Sequence, residues 1–487
     1  MILKSSVFHK KIPGKALSGQ KKGQISMSKI TVTPKFISEL DPDFTPGALY
    51  LREFAKAATV PFALAVKRPN GAVSVRKMNI LAGSDADSKA ANLLVAERTL
   101  KFMLWMYGGC EVFVAGCDEI GNELAKIYSP DGARAFDYAM MGQRIYKQDF
   151  TVKNISFDEF PAEKAPEIPL GNHLDGCRVG FDLGGSDRKC AAVIDGKCVF
   201  SEEIKWDPYF QSDPEYHKAG IRDSIQRAAA HLPRLDGIGG SAAGVYVDGQ
   251  PRLVSLFRGV SESDFKARIW PLFDELAAEF KVPFVVANDG EVTALAGAMS
   301  MKSDSVLGVS MGTSVAAGFV NANGNIMDYL DELAFVPIDF KENAPADEWS
   351  GDLGCAVQYL SQQAVARLAP IAGFDFPADM PFPTRLELVQ EAMKNGDVRA
   401  EKIFYAIGIY LGYAAAQFAD FYGLVKKLLL LGRVSSGKGG DLVIEVAQKV
   451  VKEEFPEIAE QLEFKVPDEE FKRHGQAMIA ASLPELN

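Results

Sequence analysis

Two apolar segments, each broken by a glycine-containing turn and resumed as a second apolar strand, recur within the last two-thirds of this 487-residue chain. Residues 178–181 pass through Asp182-Leu183-Gly184-Gly185-Ser186-Asp187 into 190–194. About 130 residues later, 306–310 pass through Met311-Gly312-Thr313-Ser314 into 316–320, with a further turn at Asn323-Gly324. A strand–loop–strand opening used twice, each time leading into helical periodicity, predicts an α/β protein of two related lobes facing a cleft. The length agrees, since a single hydrophobic core rarely grows beyond about 250–300 residues. No period of 20–50 residues suggests a solenoid.

The rest of the chain fits around these openings. Residues 198–204 predict a third antiparallel strand, 214–230 a helix and 237–241 another strand. Residues 281–287 predict a strand running into a helix over 291–299. Helices are expected at 356–368, 385–393 and 403–422, and 428–431 form a buried strand ending at Gly432. The expected lobes are 177–300 and 301–487, the second closing with a C-terminal helix.

Residues 27–176 read as a separate N-terminal α+β unit. Apolar stretches 60–66 and 72–75 flank Arg68-Pro69-Asn70-Gly71, a hairpin signal. Residues 88–106 carry a broad apolar face and predict a helix, 111–115 a strand, and 119–128 a short helix. Residues 157–174, with Pro161, Pro166 and Pro169, predict a linker. No chemistry-bearing motif falls here, so the expected role is packing or oligomerisation. Residues 1–26 hold six lysines and no acid, and predict a disordered tail or a stretch ahead of a start at Met27.

The net charge of −11 argues against a nucleic-acid partner, which calls for an excess of Lys and Arg. The six cysteines are scattered, without a CxxC pair or a Cys/His cluster at zinc spacing, a pattern expected of reduced, cytoplasmic thiols. No run of about 20 apolar residues could span a bilayer, so no membrane partner is expected.

Four segments carry residue types suited to phosphate chemistry. In Asp182–Asp187 the glycines let backbone N–H groups approach phosphate oxygens, and Asp182 at a strand end can hold Mg²⁺ through water. A plain hairpin turn would use the same residues. Met311-Gly312-Thr313-Ser314 offers backbone and hydroxyl donors, again on a turn. Ala287-Asn288-Asp289-Gly290-Glu291 lies at a strand-to-helix junction, where Asn and Asp serve as helix caps but an Asp facing a cleft can also take a proton from a hydroxyl. Leu431-Gly432-Arg433-Val434-Ser435-Ser436-Gly437 ends a buried strand in a loop suited to a base and ribose. It contains no GxxxxGK[ST] motif, which disfavours a P-loop enzyme.

In this order, the segments from Cys177 to the C-terminus resemble the ROK family (repressors, open reading frames and sugar kinases) of the actin/hexokinase superfamily. The resemblance implies a two-lobed actin-like, ribonuclease H-like ATPase fold with an extra N-terminal α+β unit. It implies a sugar kinase using ATP and Mg²⁺, with Asp182, Gly184, Gly185 and Ser186 as the first phosphate loop and Asp182 on the metal side. Gly312, Thr313 and Ser314 correspond to the second loop, and Gly432 and Arg433 to the adenosine turn. Asn288 and Asp289 match the Asn-Asp pair, with Asn288 on the sugar and Asp289 as general base. Ser241, in the strand and turn over 239–248, is implied as a substrate-binding residue, and Glu332 sits where a sugar-binding Glu is expected. Relatives are often dimers, so a homodimer is one expected assembly.

The departures are as informative. Asp331-Glu332-Leu333-Ala334-Phe335 replaces Gly-Glu-x-Gly-His, putting Phe335 where the family has a zinc-ligating, sugar-contacting His. Its cysteine-rich zinc motif survives only as Gly354-Cys355, and the Glu expected soon after is Val357. No structural zinc is therefore expected. Arg258 stands near where the family offers an Asn to the sugar, and is expected to meet an anionic substituent, a surface arginine being the alternative. Two other functions compete: a ROK-like sugar-sensing transcriptional regulator, and a non-catalytic sugar- or nucleotide-binding protein. The hairpin ahead of the main N-terminal helix and the acidic balance do not suit a winged-helix DNA reader. The retained Asp182, Asp289 and both loops do not suit a silent scaffold.

Overall fold

The computed structural model describes residues 30–165, 170–467 and 475–486; the expected tail over 1–26 and the linker prolines 166 and 169 lie outside the described residues. The N-terminal hairpin is β1 (Val60–Lys67) and β2 (Val73–Ile80). With β3 (Glu111–Ala115) and β4 (Thr151–Asn154) it forms a four-stranded sheet in the order β2-β1-β3-β4. Helix Ala86–Met106 starts two residues earlier than its apolar pattern, because the Asp85 side chain accepts from Ser88 N and caps it.

The first lobe is built on β5 (Cys177–Leu183), β6 (Asp187–Ile194), β7 (Lys197–Lys205), β8 (Gly237–Ala242), and, beyond a small antiparallel hairpin of β9 (Val245–Val247) and β10 (Gln250–Leu253), β11 (Phe284–Asn288). The sheet order is β11-β8-β5-β6-β7. β5, β6 and β7 are antiparallel, whereas β8 and β11 run parallel to β5. All seven residues of β5 are buried, as befits a central strand covered on both faces. Asp195 (φ 46°) and Gly196 (φ 77°) both take left-handed conformations at the β6–β7 turn, the geometry that matches strand twist in a two-residue hairpin.

The second lobe repeats the plan. β12 (Val306–Met311) and β13 (Val315–Val320) form an antiparallel pair, and β14 (Lys427–Leu431) and β15 (Glu463–Lys465) extend it in parallel, in the order β13-β12-β14-β15. The 25-residue helix Val398–Tyr422 packs along Gly437–Glu454 through the lobe's core. The helical stretch expected over 356–368 is divided into Val357–Leu360 and Gln362–Ala372 at Ser361, whose side chain caps the second piece.

Two elements cross the expected lobe boundaries. Helix Asp289–Met301, assigned above to the first lobe, packs chiefly on β12 and β13, so the change of lobe falls at its N-terminus. The C-terminal helix Gln476–Ala480 returns to the first lobe and lies on β5, β6 and β8. The contact is flush: a Cβ on Gly180 would sit 1.7 Å from Ala477 O, and one on Gly239 would sit 1.7 Å from Ala480 O. Nor does the N-terminal unit stand apart. Its buried residues, among them Phe54, Phe102 and Trp105, form one continuous apolar cluster with Phe335, Phe418 and Phe421 of the second lobe.

Candidate active site

Asp182 is the sixth residue of β5, directly abreast of Ser241 on β8 and Lys189 on β6. Ser241 Oγ donates to Asp182 Oδ1 at 2.8 Å. Gln476, at the head of the C-terminal helix, donates from its amide nitrogen to Asp182 Oδ1 and Oδ2 at 3.2 and 3.1 Å, while its amide oxygen accepts from Thr293 Oγ1. Burial raises the Asp182 pKa, and the Ser241 hydrogen bond and the Lys189 charge pull it back. Ser241 itself is fully buried. Its hydroxyl orients Asp182 instead of meeting a substrate, which corrects the expectation for that residue.

The turn after β5 is closed by Gly184 N donating to Asp187 O at 2.9 Å, and Trp206 Nε1 donates to Gly184 O at 2.8 Å. Ser186 Oγ donates to Asp187 Oδ2 at 2.8 Å. Tyr209 lies against Gly185, where a Cβ would fall 2.1 Å from its hydroxyl. Arg258 stacks on the same tyrosine, its guanidinium carbon 3.8 Å from the Tyr209 ring centroid and 5.2 Å from that of Phe210. It thus belongs to the surroundings of the turn after β5.

Asn288 and Asp289 sit where β11 becomes a helix. Asn288 Oδ1 accepts from Gly290 N at 2.7 Å, its Nδ2 donates to Gly244 O at 2.7 Å, and its backbone N–H donates to Glu291 Oε2 at 3.0 Å. This is a capping box, so most of the Asn288 amide is committed to the fold. Asp289 follows at the first helical position with its carboxylate on the cleft. Burial, then the nearby Asp182 charge, push its pKa up to about 6.

A cavity of about 540 Å³ joins these parts. Asp182 and Lys189 line it from the first sheet, Asp289 and Thr293 from the helix that crosses between lobes, and Ser310, Ala316 and Gly432 from the second sheet. Gly432 has φ 92°, and a Cβ there would lie 2.5 Å from Met311 O, so the end of β14 closes tightly on the second loop. Gly312, Thr313 and Ser314 cap the β12–β13 hairpin and are not among the residues that line the cavity, with Gly312 N bonded to Ser314 O at 3.0 Å. A Cβ on Gly312 would meet only Ser314 O, at 3.8 Å, which leaves the backbone approachable. Arg433 turns outward to an exposed ion pair with Glu387 at 3.0 Å, while its backbone carbonyl accepts from Gln390 Nε2 at 2.7 Å.

Beside Asp289, the segment over 331–335 is held by the N-terminal unit, with Glu332 N bonded to Trp105 O at 3.0 Å. The Glu332 carboxylate has no hydrogen-bond partner among the described residues, and burial, then the charges of Asp289 and Asp331, raise its pKa to about 7. Asp331 accepts from Phe319 N at 3.1 Å and from the Tyr422 hydroxyl. Phe335 lies 4.2 Å from the Trp105 ring centroid and 5.3 Å from that of Trp349, and Cys355 is fully buried. Among the described residues, no group of three or more His, Cys, Asp or Glu is arranged to hold a metal. Among the described residues no helix is long and apolar enough to cross a membrane.

Lys189, Thr293 and Gln476 escaped the sequence reading. Lys189 was within reach of it, since a hairpin of this loop length sets it opposite Asp182. Gln476 approaches through a tertiary contact with no local signal.

Two lobes of repeated α/β plan, hinged around a cavity that holds an aspartate from each side of the crossing, define a protein of the actin-like ATPase fold. Its solved relatives include a ROK hexokinase from Thermus thermophilus, with a TM-score of 0.50 and 18% identity over 63% of this chain and 96% of that one. A ROK transcriptional regulator described as a homologue of the E. coli Mlc protein gives a TM-score of 0.51 at 20% identity, over 64% of this chain and 79% of that one. The ROK family model matches residues 178–463, and the chain belongs to the ROK family. Among curated proteins it is 26% identical over 318 residues to a glucokinase of Halalkalibacterium halodurans, covering 59% of this chain and 89% of that protein. The N-terminal unit described above precedes the family match.

Proposed function

We propose that the protein transfers the γ-phosphoryl group of ATP to a hydroxyl of a sugar or sugar derivative, with Asp289 as general base. The observation that carries this reading is the single cavity shared by Asp182, Asp289 and Gly432, in which Asp289 has a pKa pushed up to about 6. Such a carboxylate is ionised at neutral pH yet basic enough to accept a proton as the hydroxyl attacks, a role typically worth about 10²–10⁴-fold. The glucokinase likeness supports a sugar as acceptor.

Asp182 suits a magnesium site, because it is a buried carboxylate oriented by Ser241, and Mg²⁺ commonly takes one or two carboxylates with waters and phosphates. When bound, the ion would neutralise charge on the phosphates. The chain's own part is positioning: the loops at 184–186 and 312–314 offer backbone donors, and Gly432 lets the adenosine end lie close. Glu332, unpartnered and beside Asp289, would accept sugar hydroxyls. Arg258, stacked at the first loop, would meet an anionic substituent.

The likeness to a ROK regulator supports a second reading, a sugar sensor without turnover. An ADP-release screen over neutral, amino and acidic sugars separates the two. Turnover lost by at least about 10²-fold in Asp289→Asn is the kinase outcome. Saturable sugar binding without ADP release, in both forms, would point to the sensor.

A further inference from the structure

We infer that the N-terminal unit completes the acceptor site: Arg68, with Asp248 and Asp328, grips a hydroxyl of a second sugar unit, so that the acceptor is a disaccharide or another glycoside larger than a single hexose. The inference rests on the kinase reading and deepens it. A cavity of about 10 Å³, outside the one shared by Asp182 and Asp289, lies where three parts of the chain meet. The β1–β2 turn supplies Arg68 and Asn70, the β9–β10 turn supplies Asp248, and the segment ahead of Glu332 supplies Asp328 and Leu330, with Tyr146 beside them. Arg68 is only 2% exposed. Its Nη1 donates to Asp328 O, yet Nε and Nη2 have no hydrogen-bond partner among the described residues. Buried charged donors are costly to leave unpaired, so these two point to an acceptor atom that the fold itself does not supply.

The chemistry of the lining selects the ligand. Asp248 and Asp328 set two carboxylates beside one guanidinium, a net negative lining that repels an anion, while a cation would face the free N–H groups of Arg68. A hydroxyl satisfies both sides, its oxygen accepting from Arg68 and its proton donated to a carboxylate. The volume is about that of one water molecule, which admits a single hydroxyl. Asn70 and Asp248 are exposed, and a Cβ on Gly249 would meet nothing within 4 Å, so the gap between the two turns opens to solvent. Position makes the ligand part of the acceptor. Burial, then the charge of Asp289, raise the pKa of Tyr246, which places this tyrosine by the proposed base. Asp248 follows two residues later, at most about 7 Å along the chain. Because the slot lies outside the cavity at Asp289, a ring held there leaves it unfilled, and a ring attached to that one is within reach.

The test measures ADP release and calorimetric binding for a panel of hexoses and of disaccharides covering both anomers and each linkage position, with the full chain as wild type, Arg68→Met and Asp248→Gly. At least one disaccharide should be preferred to its component hexoses by about tenfold or more in kcat/KM. Arg68→Met should raise the KM of that disaccharide about 10- to 100-fold, the range of a lost charge-assisted hydrogen bond, with KM for hexoses and for ATP unchanged. Asp248→Gly should act in the same direction. Asp248 has φ 52°, which glycine adopts freely, so this variant decides the question if Arg68→Met misfolds. A guanidinium that only packs against the fold would lower the melting temperature and leave the sugar preference as it was. No preferred disaccharide, or a preference that both variants keep, would overturn the inference and leave the kinase reading standing. Tight disaccharide binding that Arg68→Met weakens, without ADP release, would overturn the kinase reading and leave the site. A wild type that neither binds nor phosphorylates any sugar would overturn both.

Discussion

Asp289 owes its basicity first to burial and then to the charge of Asp182, and the chain brings these about by separate means. The Asn288 cap fixes where the helix starts, and so points the next carboxylate into the cleft, while β5 delivers Asp182 to the same cavity. The base must be ionised to work, and its pKa is raised from 3.8 to about 6. kcat/KM should therefore be level above that value and fall about tenfold per pH unit below it. Glu332, raised to about 7, adds a second titration to this limb. In Glu332→Gln the limb should settle at the lower, Asp289 value; a profile flat down to pH 5 in the wild type would remove Asp289 as base. The Asn-Asp pair was legible in the sequence as a junction, but its division of labour was not. Whether an amide faces substrate or caps a helix depends on Gly244 O, 44 positions away, reaching its nitrogen.

At the scale of elements, the place where the family resemblance puts a zinc site is occupied by a buried charge network. Lys101 Nζ, on helix Ala86–Met106, bonds both oxygens of Asp137 at 3.0 Å and also Asp352. Arg134 pairs with Glu97 at 2.6 Å and with Asp352, and Trp105 Nε1 donates to Asp137 at 2.6 Å. These charges come from the N-terminal unit and from the segment just before Cys355, so they fasten together two parts that a metal could otherwise have joined. Removing one partner of a buried ion pair leaves the others uncompensated, typically a cost of about 3–5 kcal/mol. Lys101→Met should lower stability by that amount in urea melts, whereas EDTA should leave the wild-type midpoint unchanged. A chelator-sensitive midpoint would mean that a metal does the joining. The sequence made the loss of the zinc residues plain, yet the network was invisible to it: Lys101 reads as a solvent-facing residue of an amphipathic helix until Asp137 and Asp352 are brought to it. Strand and helix positions were easier, because β3 and helix Phe382–Lys394 show their period locally. β4 and β15 went unread because they are short; helix Gly437–Glu454 went unread although Val443, Val446, Ala447 and Val450 mark its period.

Across the whole molecule, the N-terminal unit touches both lobes in different ways. Toward the second lobe its contacts are extensive and largely buried, the charge network at Asp352 lying beside apolar ones, with Phe102 stacked 3.7 Å from Phe421 and Tyr107 Oη bonded to Phe421 O at 2.8 Å. Toward the first lobe, besides the apolar contact of Val245 and Val247 with the shared cluster, a polar set lies at the edge: Arg144 with Glu262 at 2.7 Å, Lys147 Nζ with Gln250 Oε1 at 3.0 Å, and Lys147 Nζ 3.7 Å from the Trp270 ring centroid. The unit is thus packed as part of the second lobe, and the polar set is its exposed tie to the first lobe. Both lobes line the cavity proposed for the nucleotide, so ligands there would bind only while the lobes hold this relation, and any loosening would reduce affinity by the fraction of molecules out of register. Edge pairs of this kind add about 1 kcal/mol or less to stability. The double variant Arg144→Ala, Lys147→Ala should therefore melt within about 2–4 °C of the wild type. Its KM for ATP and for the sugar should rise together by several-fold, with small-angle scattering showing a larger radius of gyration in the ligand-free protein. Substrate KM values that do not move, with the same radius of gyration, would mean that the lobes are held by the crossing segments alone.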